Sequence, residues 1–136
     1  MIDYENDITI VKSVLLDFGT IELRSDDILT YVPLPHLTTL NLSQLKIMNK
    51  VLVDLCEGKP KPFLSDNRNV KSFGFAEREY VGKTFHHFAS CSAILEDAVV
   101  VRFITHSIIL MFKPSIPLKL FKKKEDAIKW LRTYPN

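Results

Sequence analysis

The chain has 136 residues, 46% of them hydrophobic and 25% charged, with a formal net charge of +2. That length is most simply one domain, long enough for a sizeable core. The composition is that of an ordinary globular protein, and the charge is too mild to imply a nucleic-acid or membrane surface by itself.

The opening residues, MIDYENDITI, are acidic and mixed and lack the charged-then-apolar pattern of a signal peptide. Residues 1–16 read as an N-terminal extension and 17–134 as the core of a single domain. In FGTIELRSDDILTYVPLP, Ile21 and Leu23 alternate with Thr20, Glu22 and Arg24. Ser25, Asp26 and Asp27 supply turn chemistry, and Ile28 to Pro33 returns as a second strand, so the segment predicts a hairpin. A helix follows. Asn41 and Gln44 form a capping box, Leu42, Leu45, Met48, Leu52 and Leu55 recur at helical spacing, and Gly58 stops the run.

KPFLSD reads as a short strand and Gly74 to Phe88 as a helix, in which Gly82 costs about 1 kcal/mol relative to alanine. CSAIL is a buried strand. Ala98 to Phe112 is rich in β-branched residues, but its length, with Arg102, Thr105, His106 and Ile109 on one helical face, predicts a helix. Pro114 and Pro117 break it. LKLF is the last strand and KEDAIKWLRTY the last helix. The expected fold is therefore α/β. An antiparallel N-terminal hairpin leads into a mainly parallel five-stranded sheet with about four helices.

Cys56 falls on an apolar helical stripe and Cys91 at the mouth of a strand. Two buried thiols in a reducing compartment are expected, not a disulfide or a metal site. The apolar run Ala98 to Phe112 is shorter than the ~20 residues of a spanning helix, and Arg102 and His106 interrupt it. No membrane span is expected, and the location reads as cytoplasmic.

This order, with FGTIELRSDDILTYV, FLSDNRNVKSFGFAEREY and above all MFKPSIPLKLFKKKEDAIKWL, resembles the STAS-like fold of anti-sigma-factor antagonists and sulfate-transporter tails. It is similar to small uncharacterised bacterial proteins placed with the STAS and CRAL-TRIO group. The resemblance implies a regulatory, non-enzymatic domain. In the antagonists a strand ending in aspartate leads to a helix that opens Asp-Ser, and a partner kinase phosphorylates that serine. Matching the strands puts Asp66 at the strand-end aspartate. Gly74 then stands where the second aspartate belongs, and Phe75 and Ala76 where the hydroxyl belongs. Ser72 falls about one turn short of the helix, so a phosphoswitch is not expected here.

Other candidate chemistry is sparse. Asp66, Asn67 and Arg68 could bind a polar group where open sheets place ligands, or could simply form a turn that holds its own backbone. His86 and His87 are adjacent and diverge on a helix, so no metal site is expected. No phosphate loop, nucleophile–base pair or cofactor fingerprint occurs. Lys122, Lys123 and Lys124 make either a solvated charge run or a patch for an anionic partner. The helix Ala98 to Phe112 carries apolar residues around more of its circumference than one packed face needs. Arg102, His106, Ile108, Met111 and Phe112 are its candidate contact residues. Neighbouring helices, a second copy of the chain or an apolar ligand could cover it. The expectation is a homodimer, with a carrier of an apolar small molecule or lipid as the alternative and an enzyme third.

Overall fold

Alternating apolar side chains build one sheet, which the computed structural model, describing residues 7–134, resolves into six strands. The elements are β1 (Ile10–Leu16), β2 (Gly19–Arg24), β3 (Leu29–Pro33), α1 (Leu42–Cys56), β4 (Lys61–Asp66), α2 (Phe75–Thr84), β5 (Ala89–Leu95), α3 (Val99–Phe112), β6 (Leu118–Phe121) and α4 (Lys124–Leu131). A single 3-10 turn, Phe85–His87, follows α2. The strands lie side by side in chain order. β1, β2 and β3 pair antiparallel, and β3 to β6 pair parallel, with Leu29 beside Phe63 and Ser92 beside Leu118.

The hairpin, the parallel remainder and the four helices are as the sequence predicts. The strand count is not: the sheet has six strands instead of five. The additional strand is β1, which lies within the segment read as an extension; residues 1–6 of that segment lie outside the described residues. β1 is an edge strand. It leaves Ile10, Val11 and Leu15 largely exposed, and its register with β2 shifts between Ile10 and Lys12. An edge strand with little burial gives no clean alternation of apolar and polar residues.

Two apolar layers sandwich the sheet. On one face Ile21, Leu23, Leu29, Tyr31 and Phe63 pack against Leu52 and Leu55 of α1. On the other, Ile28, Leu64, Cys91, Ala93 and Leu95 pack against Ala127, Ile128 and Leu131 of α4. Both cysteines are buried free thiols, and burial pushes the Cys91 thiol up. Helix α1 opens with the predicted capping box: Asn41 Oδ1 accepts from the Gln44 amide, and Gln44 Oε1 accepts from the Asn41 amide. It ends through Glu57 and Gly58, both in left-handed conformations.

Gly82 explains how α2 meets α3. A Cβ at this position would lie 2.7 Å from Phe112 Cβ and 3.3 Å from Ile108 Cγ2. The missing side chain lets the two helices approach, and Arg78 Nη1 ties them by donating to Ser107 Oγ at 3.1 Å. Gly82→Ala gains about 1 kcal/mol of helix propensity but overpacks this contact, at a cost of about 1–3 kcal/mol. Urea unfolding should show a lowered midpoint with an unchanged slope.

At the opposite face the β2–β3 turn is tied to the end of α4. Asp26 accepts two hydrogen bonds from Arg24, at 3.0 and 2.9 Å, and one from Arg132 at 2.7 Å. Burial raises the Asp26 carboxyl, but the hydrogen bonds and charges of Arg24 and Arg132 outweigh it and hold the group below its ordinary value.

Candidate interaction surface on helix α3

Position along α3 decides which side chains face water. At about 100° per residue, Val99, Phe103, His106 and Leu110 fall within an arc of about 60°. Val101, Thr105 and Ile108 fall on the opposite side, and these three are buried. The outer arc is open: Val99 is 80% exposed, Phe103 66% and Leu110 75%. His106 is exposed among them. The helix is thus apolar on two opposed faces, and only one of them meets the protein's own core.

The candidate residues on this helix separate accordingly. Ile108 is only 6% exposed; it is a core residue, because it points at Gly82 and the sheet and not at solvent. Phe112 is half-buried against Phe75, with ring centroids 5.6 Å apart. Met111 is half-exposed and lies off the outer stripe. Arg102 borders the stripe, and its Nη2 donates to Oε1 of Glu96 at 2.9 Å. Glu96 is itself 3% exposed, so Arg102 lies over a buried carboxylate. Val99, Phe103 and Leu110 are absent from the residues singled out in the sequence. The signal that finds them is the same helical spacing, taken with the buried face as its reference.

The loop after β4 pairs its own charged groups. Arg68 donates to both carboxylate oxygens of Asp66, at 2.9 and 2.7 Å, and its backbone amide donates to Oδ1 at 3.2 Å. Burial raises Asp66, but Arg68, with a smaller contribution from Lys124, holds it below the ordinary carboxylate value. Ser65 Oγ donates to Asn67 Oδ1 at 2.6 Å. Asp66, Asn67 and Arg68 therefore come together as a turn. Gly74 is the N-cap of α2 and makes no side-chain cap. Phe75 and Ala76 open the helix, and exposed Ser72 precedes the cap.

Lys122, Lys123 and Lys124 are exposed at the start of α4, where Lys123 is an N-cap without a side-chain hydrogen bond. Glu125 and Asp126 occupy the first turn and offset the lysines there. Lys124 acts on Asp66 at the sheet end, so the three cations do not form one isolated patch. Among the described residues no three His, Cys, Asp or Glu side chains cluster as metal ligands. No described helix is long and apolar enough to cross a membrane.

This arrangement of sheet and helices is the STAS-like fold. A SpoIIAA-like protein of the DUF3478 family from Shewanella loihica PV-4 superposes with a TM-score of 0.55 at 16% identity, over 91% of this chain and 93% of that one. An anti-sigma factor antagonist from Mycobacterium paratuberculosis superposes with a TM-score of 0.52 at 11% identity, over 96% and 99%. Both likenesses lie on the STAS side of the resemblance, and neither supports its CRAL-TRIO side. The chain itself belongs to the family described as Domain of unknown function (DUF7793), whose model matches residues 21–135. No curated protein matches it.

Proposed function

We propose that this protein is a non-enzymatic regulatory domain that works by protein–protein contact, and that it pairs with a second copy of itself through the outer face of α3. The observation that carries the reading is the exposed stripe of Val99, Phe103, His106 and Leu110, set opposite the helix's own buried face. Among the described residues no other helix covers this stripe. Large exposed apolar patches mark contact surfaces.

The spacing favours a second copy as the occupant. Successive stripe residues are separated by four, three and four positions. That order is the same in both directions. An antiparallel two-fold crossing therefore sets Val99 against the partner's Leu110 and Phe103 against the partner's His106, twice over. A self-complementary patch is what an isologous interface requires. The stripe carries no acidic residue, and the adjoining Arg102 is engaged by Glu96, so no like-charge pair of carboxylates opposes the crossing.

The absence of a hydroxyl at Phe75 and Ala76 supports regulation by association in place of phosphorylation at the start of α2. The anti-sigma factor antagonist that shares the fold gives the same class of reading, a protein whose work is to bind another protein. The cytoplasm is the proposed location. Sedimentation equilibrium over a concentration series tests the pairing. The native chain should reach twice its monomer mass, and Phe103→Glu should remain a folded monomer at every concentration. A native chain that stays monomeric throughout removes the homodimer.

A further inference from the structure

The face of the sheet beneath α2 and α3 is not completely filled. A cavity of about 90 Å³ lies there, walled by Phe63 of β4, Leu45 and Met48 of α1, Val81 of α2, and Ile104 and Ile108 of α3. One water needs roughly 10–15 Å³ by the same measure, so the space is several times larger than a water site. Its walls are mainly apolar, and apolar cavities accept apolar guests. Protein interiors otherwise pack as tightly as organic crystals. A filler molecule would recover contacts that the lining now lacks.

The polar groups of the lining limit the guest. Among the described residues, no Lys, Arg or His lines the cavity. The one acid among the described lining residues, Asp66, has both oxygens held by Arg68. An ionic guest would lose its hydration with no opposite charge to meet it. Thr105 Oγ1 donates its proton to the Val101 carbonyl, which leaves it able only to accept. Asn67 Oδ1 is taken by Ser65 Oγ, while its amide nitrogen donates to no described residue. Ser65 and Asn67 stand at the carboxyl end of β4, the end at which parallel sheets receive ligands.

We infer that this cavity binds a small, uncharged, mainly apolar molecule on the scale of a substituted aromatic ring. Its one polar group is held at the Ser65–Asn67 pair. The site is separate from the outer stripe of α3: Ile104 and Ile108 face it, and Val99, Phe103 and Leu110 do not line it.

Titration of the ¹⁵N-labelled full chain with indole, followed by amide chemical shifts, tests this. Saturable shifts are expected at Leu45, Val81, Ile104 and Ile108, and benzoate should produce none. Val81→Phe and, independently, Ile104→Phe place a ring in the cavity, and each folded variant should lose the indole response. The inference is overturned if indole shifts no cavity residue up to its solubility, or shifts only the outer stripe. It is equally overturned if benzoate binds as indole does, or if a folded filled variant still responds. Should neither variant fold, the titration of the native chain with indole and benzoate decides alone.

Discussion

Ile108→Glu is expected to unfold the domain, whereas Leu110→Glu, two positions further along the same helix, leaves it folded and unable to pair. Ile108 is buried against Gly82 and the cavity wall. Replacing it forfeits about 1.5–3 kcal/mol of apolar burial. It also leaves a carboxylate in the interior without a partner, which costs several kcal/mol more. Domains of this kind are stable by only about 5–15 kcal/mol in total. Leu110 is 75% exposed, so a charge there stays hydrated in the monomer. In the pair it would be desolvated against the partner's Val99. Circular dichroism with sedimentation velocity separates the two outcomes. A folded Ile108→Glu would mean that α3 does not turn Ile108 toward the core.

Asp26→Ala should destabilise the domain by about 3 kcal/mol, the lower end of the range for breaking a buried ion pair. The carboxylate joins Arg24, which is 4% exposed, to Arg132 at the end of α4. Arg24 and Arg132 each make further interactions, which keeps the loss at the lower end. The effect carries a pH signature. The Asp26 carboxyl lies below its ordinary value of 3.8 in the folded protein. Its contribution is therefore complete above that value and is lost as the pH falls through the lower, folded-state value. The difference in urea midpoint between native and variant should be constant near neutrality and shrink below about pH 4. A difference that grows on acidification would contradict the assignment.

Much of the fold was legible in the residues. The hairpin is visible because Ile21 and Leu23 alternate with polar neighbours over a turn of Ser25, Asp26 and Asp27. Helix α1 is visible because Asn41 and Gln44 satisfy each other's backbone. Helix α3 is legible despite its β-branched residues, since fourteen residues with a repeating face exceed the usual length of a strand. β1 was hidden because an edge strand buries little and its bulge interrupts the pattern. Gly82 looks like a weakness in a helix until the close passage of Phe112 is known, and such a contact between separate elements leaves no local trace.

The candidate site was legible in part. An apolar excess on α3 can be counted from the sequence, but its division into Ile108 inside and Leu110 outside depends on which arc meets the sheet. The turn at Asp66, Asn67 and Arg68 was open between a site and a self-contained loop. The Arg68–Asp66 contact engages both carboxylate oxygens. The cavity could not be foreseen, because it is a gap left between α1, α2, α3 and the sheet and belongs to no single segment.

The most direct test of the antiparallel α3 pairing is disulfide trapping between two single-cysteine replacements, Val99→Cys and Leu110→Cys. The native thiols Cys56 and Cys91 are buried and stay out of the reaction. In the two-fold crossing position 99 of one copy lies against position 110 of the other. Equivalent positions sit eleven residues out of register, about 16 Å apart along the helix and too far for a disulfide. Mild oxidation should give a covalent dimer when the two variants are mixed, and little or none from either variant alone. Homodisulfides from each variant in equal yield, or no covalent dimer in the mixture, would contradict the account.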